Sequence, residues 1–262
     1  EKHPICDECR DLKLPTTYLC GVDCPGNPGA WQLHGVFHKK LRKHRKRTED
    51  GGVAQQQHRE LAEKTAWRAA QTGDKYDELL AEGIQYQSNQ DLRKAGKTYR
   101  EAIALRSDEP AAYYNLGTVL GSSGHVVEAA QRYLEAKERC PVGSELWARA
   151  TADAFGMLRQ EESAEVAKPE WWNYEGLKAL SARVVRAGPN EPANNVMRAL
   201  VLRGLAGACA WELGPRSAAD LKEAAAHFDR AAALAGAPGI KAQHASLADW
   251  CRDQALWLDG QP

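Results

Sequence analysis

The chain has 262 residues, of which 43% are hydrophobic and 27% charged, enough for one large domain or two modest domains with a sizeable core. Lys and Arg together number 35, as do Asp and Glu, so the composition predicts no overall attraction to polyanions. The abundance of Ala, Leu, Glu, Arg and Gln favours helices, and without a run of about eighteen apolar residues we expect no membrane span.

Three pairs of potential metal ligands occupy the first 38 residues, namely Cys6-x2-Cys9, Cys20-x3-Cys24 and His34-x3-His38. Donors separated by two or three residues can form a tight knuckle that presents both side chains to one tetrahedral zinc ion. The segment has few aliphatic residues, so its folding would depend on the metal. Two disulfides among the four cysteines are the alternative, but they leave the paired histidines unexplained. We therefore predict a Zn²⁺ cofactor within a domain spanning residues 1–47.

The order of these pairs resembles the second half of a MYND-type zinc finger, as found at the N-terminus of type 1 methionine aminopeptidases. The resemblance includes Tyr18-Leu19-Cys20 before the second pair, Trp31 before the histidines and Lys39-Lys40 after them. It implies a closed, non-catalytic finger that binds short proline-containing peptides, since four protein ligands leave no position for an activated water.

The ligand assignment also follows from this resemblance. In the cross-braced arrangement of MYND fingers, Cys6, Cys9, His34 and His38 would share one zinc ion, and Cys20 and Cys24 would belong to a second. The family's opening Cys-x2-Cys pair is absent here, so the finger holds one ion or the missing pair lies upstream of Glu1. A single ion bound by the four cysteines is a further alternative.

A basic run follows the last histidine, and residues 1–47 carry ten basic and five acidic side chains. Three interpretations remain open: a solvated helical extension, a nuclear localisation signal, or a contact with nucleic acid or ribosomal RNA. Without a secretory leader, we expect an intracellular protein, cytoplasmic or nuclear. The basic residues are Lys39, Lys40, Arg42, Lys43, Arg45, Lys46 and Arg47.

Residues 48–75 are predicted to be a linker and a packing helix. Thr48–Gly52 interrupts the helical pattern and marks a domain boundary. Helical spacing resumes over Val53–Gln71, and Gly73-Asp74 ends it.

The stretch Pro110–Pro141 resembles the 34-residue tetratricopeptide (TPR) pattern. Its small residues would let two antiparallel helices approach, and its larger ones would fill the space between them. Residues 76–109 fit the same template in register, so we predict two TPR repeats over residues 76–143. In Pro110–Pro141 the residues that match the TPR template are Tyr113, Leu116, Gly117, Leu120, Gly124, Ala129, Tyr133, Ala136 and Pro141.

Residues 144–262 are predicted to form degenerate TPR-like helices and a capping helix. Trp147 matches Tyr113, but the expected partner helix around Gln160–Lys168 lacks the pattern. Further helices are predicted from Trp171-Trp172 to Gly188, from Pro192 to Leu213, from Ser217, and over Ile240–Leu258. Cys140, Cys209 and Cys251 are expected to be buried hydrophobes, and Trp171, Trp172, Trp211 and Trp257 to pack between repeats.

The predicted fold class is therefore mainly α, a TPR-like helical-hairpin solenoid with a small N-terminal zinc-bound finger. TPR solenoids bind extended peptides or helices along a concave surface made mainly by first helices. On that surface we place Tyr114, Asn115, Thr118 and Arg149.

TPR proteins that grip a chaperone's terminal carboxylate use five polar positions over three repeats. Asn115 and Arg149 occupy two of them, while Leu80, Ile84 and Glu145 occupy the others and offer no cation or amide. The pattern thus argues against a carboxylate clamp.

Catalytic motifs are missing from the sequence. SET-and-MYND lysine methyltransferases combine a finger with TPR-like helices, but the interval between Arg47 and Tyr76 has no room for a SET core. No phosphate loop, Gly-x-Ser-x-Gly elbow or HExxH helix occurs either. We predict a non-catalytic protein–protein interaction adaptor. The alternatives are a fragment or relative of those methyltransferases, or a nucleic-acid- or ribosome-associated protein that acts through the basic run 39–47.

Overall fold

The computed structural model describes residues 63–67, 69–71, 73–204 and 217–260. Throughout this part the chain is mainly α-helical and contains no strand. Residues 63–67 and 69–71 are helical, as predicted, and Ala69 among them is buried. The helices that follow are α1 (Lys75–Ser88), α2 (Leu92–Leu105), α3 (Pro110–Ser122), α4 (Val126–Arg139), α5 (Glu145–Leu158), α6 (Tyr174–Ala187), α7 (Pro192–Leu202), α8 (Ala218–Leu234) and α9 (Pro238–Asp259).

Each helix from α1 to α9 packs against the next one in the chain, which gives the α-solenoid of helical hairpins that the repeat pattern predicts. The first four connections span only three to five residues, so neighbouring helices run antiparallel. First helices of successive hairpins also touch, since α1 contacts α3 and α5 contacts α7.

Polar side chains cap several helix starts. The carboxylates of Asp74 and Asp91 accept hydrogen bonds from the backbone at the beginnings of α1 and α2, and the hydroxyl of Ser144 does so at α5. At α8 a capping box is present, with Ser217 and Asp220 bonding reciprocally.

A glycine faces a tyrosine ring in each of the first two hairpins. A Cβ atom added to Gly83 would lie 2.4 Å from the ring of Tyr99, and one added to Gly117 would lie 2.9 Å from the ring of Tyr133. Ala129 and Ala136, on the same helix as Tyr133, are fully buried. The predicted steric role of these small residues is therefore confirmed: they allow the helices to approach around a buried ring.

The third hairpin departs from the repeat where its sequence pattern fails. Residues 160–168 form a short 3-10 turn at Glu161–Ser163 and then non-helical chain, so the third repeat is interrupted, as its degenerate sequence predicts. This stretch has helix-forming Glu and Ala but no apolar stripe to bury, and Pro169 ends it. The partner of α5 is instead α6, which begins at Tyr174 after the Asn173 cap.

The connection between α5 and α6 supplies part of the core. Trp171 and Trp172 precede α6 rather than beginning it. The Trp172 ring lies 5.4 Å from that of Phe155, centroid to centroid, and is 5% exposed. Lys168 donates hydrogen bonds to the carbonyl oxygens of Leu158, at 3.0 Å, and Ser163. The ammonium thereby satisfies a carbonyl at the C-terminal end of α5.

Helix α7 is shorter than predicted. It ends at Leu202, where Arg203 is the C-cap and Gly204 has a φ of +80°, rather than continuing to Leu213. A left-handed residue of this kind ends a helix because the chain leaves the helical path there. The predicted last helix is present as α9.

The predictions for cysteine and tryptophan hold in part. Cys140 and Cys251 are buried, as expected, whereas Cys209 lies outside the described residues. Trp171 and Trp172 pack into the core, but Trp257 is 61% exposed, so its predicted packing role is wrong. Trp211 also lies outside the described part. Among the described helices, none is both long and apolar enough to cross a membrane.

Candidate peptide-binding site

The structure brings two of the four predicted peptide-binding residues together across the α3–α5 interface. Tyr114 is half-buried, and its hydroxyl donates a 2.7 Å hydrogen bond to Oδ2 of Asp153 on α5. The guanidinium of Arg149, one turn earlier on α5, lies over the Tyr114 ring at 5.0 Å from its centroid. First helices of two successive hairpins thus form one polar cluster.

Thr118 supports this cluster from within α3. Its hydroxyl donates to the carbonyl of Tyr114 at 3.2 Å and accepts a hydrogen bond from the hydroxyl of Tyr133, also at 3.2 Å. The rings of Tyr114 and Tyr133 lie 5.4 Å apart in a tilted arrangement. Thr118 therefore holds the two tyrosines rather than facing a ligand. Asn115 is half-buried, and its side chain makes no hydrogen bond within the described part of the chain.

Burial dominates the electrostatics of the cluster. It raises the pKa of the Asp153 carboxyl above its usual value, although the Tyr114 hydrogen bond and Arg149 act in the opposite direction. Burial also raises the pKa of Tyr114, and the charge of Asp153 adds to this rise. Burial would lower the pKa of Arg149, but Tyr114, Glu191 and Asp153 raise it above its ordinary value.

The cluster offers groups that can bind a ligand. A tyrosine whose pKa is raised is a poor base and a poor nucleophile, so the hydroxyl of Tyr114 offers only hydrogen bonding. Arg149 stays charged and remains 46% exposed. Together they present a fixed cation, an aromatic face and hydrogen-bonding groups.

A cleft adjoins the cluster where α5 meets the connection between α6 and α7. Its volume is about 190 Å³, and its lining residues are Glu145, Arg149, Gly188, Pro189, Asn190, Glu191 and Asn194. The Nε of Arg149 lies 3.4 Å from Oε2 of Glu191, the residue that precedes α7. A row of polar groups thus extends along the first helices, from Tyr114 on α3 through α5 to the start of α7.

The residues at the positions of a carboxylate clamp do not form a site for a carboxylate. Ile84 is buried and Leu80 is half-buried in the apolar contacts of the first hairpin. Glu145 lines the cleft and brings negative charge to it. Arg149 already faces the carboxylate of Glu191. These surroundings give a terminal carboxylate little to bind.

Asp153, Glu191 and Asn194 are among the residues of this site that the sequence-based prediction did not include. Asp153 lies four positions after Arg149, so helical spacing already placed it on the same face of α5 and offered a signal. Glu191 and Asn194 had no such signal, because their position depends on α6 being the partner of α5.

The predicted zinc ligands Cys6, Cys9, Cys20, Cys24, His34 and His38 lie outside the described residues, as does the basic run over residues 39–47. Elsewhere, in residues 63–67, 69–71, 73–204 and 217–260, no group of three or more His, Cys, Asp and Glu side chains is arranged to hold a metal ion. The zinc site over residues 1–47 therefore stays a prediction from the sequence.

No model of a known protein family matches the chain, and no curated protein matches it either. The geometry of the residues on the first helices favours a recognition surface there.

Proposed function

We propose that this protein is a non-catalytic adaptor with a TPR-type helical scaffold that binds a peptide of a partner protein. The scaffold assignment is supported by the 34-residue spacing between Gly83 and Gly117 and between Tyr99 and Tyr133, because the two pairs make equivalent contacts. Such a solenoid presents its first helices to extended peptides.

The observation that carries the binding proposal is the row of polar groups at Tyr114, Asp153, Arg149 and Glu191, with its adjoining cleft. Because these residues come from three successive hairpins, one extended peptide lying along the first helices would contact all of them. The hydroxyl of Tyr114 is fixed by Asp153, so the surface is ordered before a ligand arrives, which reduces the entropy lost on binding.

We further propose that residues 1–47 form a MYND-like zinc finger bound through Cys6, Cys9, His34 and His38, with Cys20 and Cys24 as additional ligands. The support is the ligand spacing and the resemblance described above. The finger would bind a second peptide, so that the protein joins two partners, in the cytoplasm or the nucleus. The basic run Lys39–Arg47 would lie beside it and could add an electrostatic contact to nucleic acid.

A display library of random twelve-residue peptides, selected on the immobilised full chain, tests the scaffold. We expect enriched sequences whose binding weakens about tenfold or more on Arg149→Ala substitution, because Arg149 contributes contact area to the cleft and contacts both Glu191 and the Tyr114 ring, whose positions it helps to fix. Arg183→Ala is the matched control, since Arg183 also lies over an aromatic ring, that of Trp147, but does not line the cleft. Failure to enrich any peptide would overturn the proposal.

Metal analysis of the purified full chain tests the finger. We expect bound zinc, lost on Cys6→Ser substitution and retained in Cys140→Ser, whose cysteine is buried in the solenoid. If the chain contains no zinc after purification without chelators, the proposed zinc finger is wrong.

A further inference from the structure

The cleft beside Arg149 differs in its charge from a site for an acidic peptide. Two carboxylates, those of Glu145 and Glu191, line it together with one guanidinium, so the lining has a net negative charge. Arg149 is engaged on both sides, by Glu191 at 3.4 Å and by the ring of Tyr114. Glu145 is exposed and forms no ion pair with any described residue.

Asn194 is a second, independent feature of this cleft. Its side chain is fully buried, and its Nδ2 donates a 2.8 Å hydrogen bond to the carbonyl of Gly188. This bond fixes the orientation of the carboxamide, since the reverse orientation would place two oxygens against each other. Oδ1 is therefore left as the acceptor, and no donor reaches it among the described residues. A buried acceptor without a hydrogen bond destabilises the folded state.

The N-terminus of α7 does not make the cleft favourable for an anion. A helix start attracts anions, but Glu191 stands at the N-cap of α7 and already places a carboxylate there. Pro192 follows it and has no backbone N–H to donate. Two groups of the cleft without a hydrogen-bond or ion-pair partner among the described residues are thus an anion, Glu145, and an acceptor, Asn194 Oδ1.

The size of the cleft limits what it accepts. At about 190 Å³ it is smaller than the range of about 300–1,000 Å³ that is common for small-molecule sites. One long side chain matches this volume better than a nucleotide or a cofactor.

We propose that this cleft takes a basic side chain, a lysine or arginine of the partner peptide, held by Glu145 and Glu191, with the Asn194 oxygen as a further acceptor. The inference rests on the proposed peptide-binding function and specifies the chemistry of its ligand. The specificity is opposite to that of a carboxylate clamp.

Nuclear magnetic resonance of the full chain labelled with ¹⁵N tests this inference with side-chain-sized probes. n-Butylammonium stands for a lysine side chain, n-butyrate for an acidic one and n-butanol for an uncharged one. We expect n-butylammonium to shift the resonances of Gly188 and of the Asn194 side-chain amide in a saturable way that weakens with added salt. The other two probes should shift them far less.

Substitutions then identify the groups responsible. Glu145→Gln and Glu191→Gln should each weaken n-butylammonium binding about two- to fivefold, the range for a partly exposed ion pair. Glu128→Gln is the control, because Glu128 is an exposed glutamate on α4 outside the cleft. Circular dichroism establishes that each variant keeps its helices.

The outcomes separate this inference from the function on which it rests. Stronger shifts with n-butyrate, shifts with no probe, or equal effects of Glu145→Gln and Glu128→Gln would overturn the basic-side-chain site. If the display library enriches peptides whose contacts to the cleft are acidic, the adaptor function stands and this inference fails. If n-butylammonium binds but no peptide is enriched, the cleft keeps its cation preference and the adaptor proposal fails.

Discussion

Helices α1 and α2 meet where Gly83 faces Tyr99, and α3 and α4 meet in the same way at Gly117 and Tyr133. Helices α5 and α6 pack around Trp172, which comes from the long connection between them. In the first region the glycine and the tyrosine that faces it both lie on helices. The same glycine–tyrosine pair therefore recurs in the sequence at a fixed interval. In the second region a loop residue fills the interior, and the repeat disappears although the hairpin remains.

The largest expected effect tests whether that loop residue is a true part of the core. Trp172→Ala should destabilise the protein by about 3–5 kcal/mol, the usual loss for a buried large aromatic side chain. Urea denaturation followed by far-ultraviolet circular dichroism measures this change. Trp257→Ala is the control and should change stability by less than about 0.5 kcal/mol, because that side chain is exposed. Equal effects of the two substitutions would remove the distinction between the regions.

The glycine–tyrosine contacts of the first region should be sensitive to a single added methyl group. Gly83→Ala and Gly117→Ala should each destabilise the fold by about 1–3 kcal/mol, because the new Cβ would overlap a tyrosine ring. Gly156→Ala on α5 is the matched control, since no atom lies within 4 Å of its added Cβ. There the higher helix propensity of alanine should stabilise the protein by up to about 1 kcal/mol. A stabilised Gly83→Ala variant would contradict the packing described here.

The hydrogen bond between Tyr114 and Asp153 joins the two regions. Tyr114→Phe removes its donor and leaves the Asp153 carboxylate without that partner, so we expect a loss of about 1–2 kcal/mol in urea denaturation. In the Asp153→Asn background the same substitution should cost less, because a neutral amide is easier to bury than a carboxylate. The double-mutant cycle therefore reports the coupling across α3 and α5. Additive effects would show that the bond does not connect the regions energetically.

The smallest expected effect concerns acid stability in the second region. Nδ1 of His227 lies 3.0 Å from Oδ1 of Asn195, whose amide nitrogen donates to the carbonyls of Pro189 and Glu191. The Asn195 oxygen thus faces the ring, and neutral His227 donates from Nδ1. Burial lowers the pKa of His227, and nearby Arg198 lowers it further, against the influence of Glu223.

The sign of the pH dependence follows from this lowered pKa. Below about pH 6.5, the ordinary value for histidine, the unfolded chain binds a proton more readily than the folded chain, so stability falls as the pH falls. His227→Gln should lose less stability between pH 7 and about pH 5, by under about 1 kcal/mol. His125→Gln, which changes an exposed histidine, should behave like the unchanged protein. A steeper acid loss in His227→Gln would reverse the assignment.

The sequence was sufficient for the parts of the fold whose packing is local. The positions of Gly117, Ala129 and Tyr133 identify a close-packed hairpin because the contacting residues lie within one repeat. Tyr114 and Arg149 were placed on one surface because both lie on first helices, and the structure brings them into contact. The partner of α5 was not predictable from periodicity, because Trp172 and Lys168 act from a non-helical connection. Glu191 and Asn194 depend on that pairing, so the cleft was not predictable either.

The contact between Lys168 and the end of α5 has a consequence for the order of synthesis. The first two hairpins have short connections and contacts within each repeat, so they can close soon after their second helix leaves the ribosome. Helix α5 cannot complete its packing at that stage. Lys168, which donates to the carbonyl of Leu158, and Trp172, which covers Phe155, are translated after it. Until then the part of α5 that packs against α6 and α7 stays uncovered on the nascent chain. A ribosome stalled just before Lys168 would therefore carry two folded hairpins and one helix with exposed apolar residues. At this stage the nascent chain offers a chaperone the largest apolar surface.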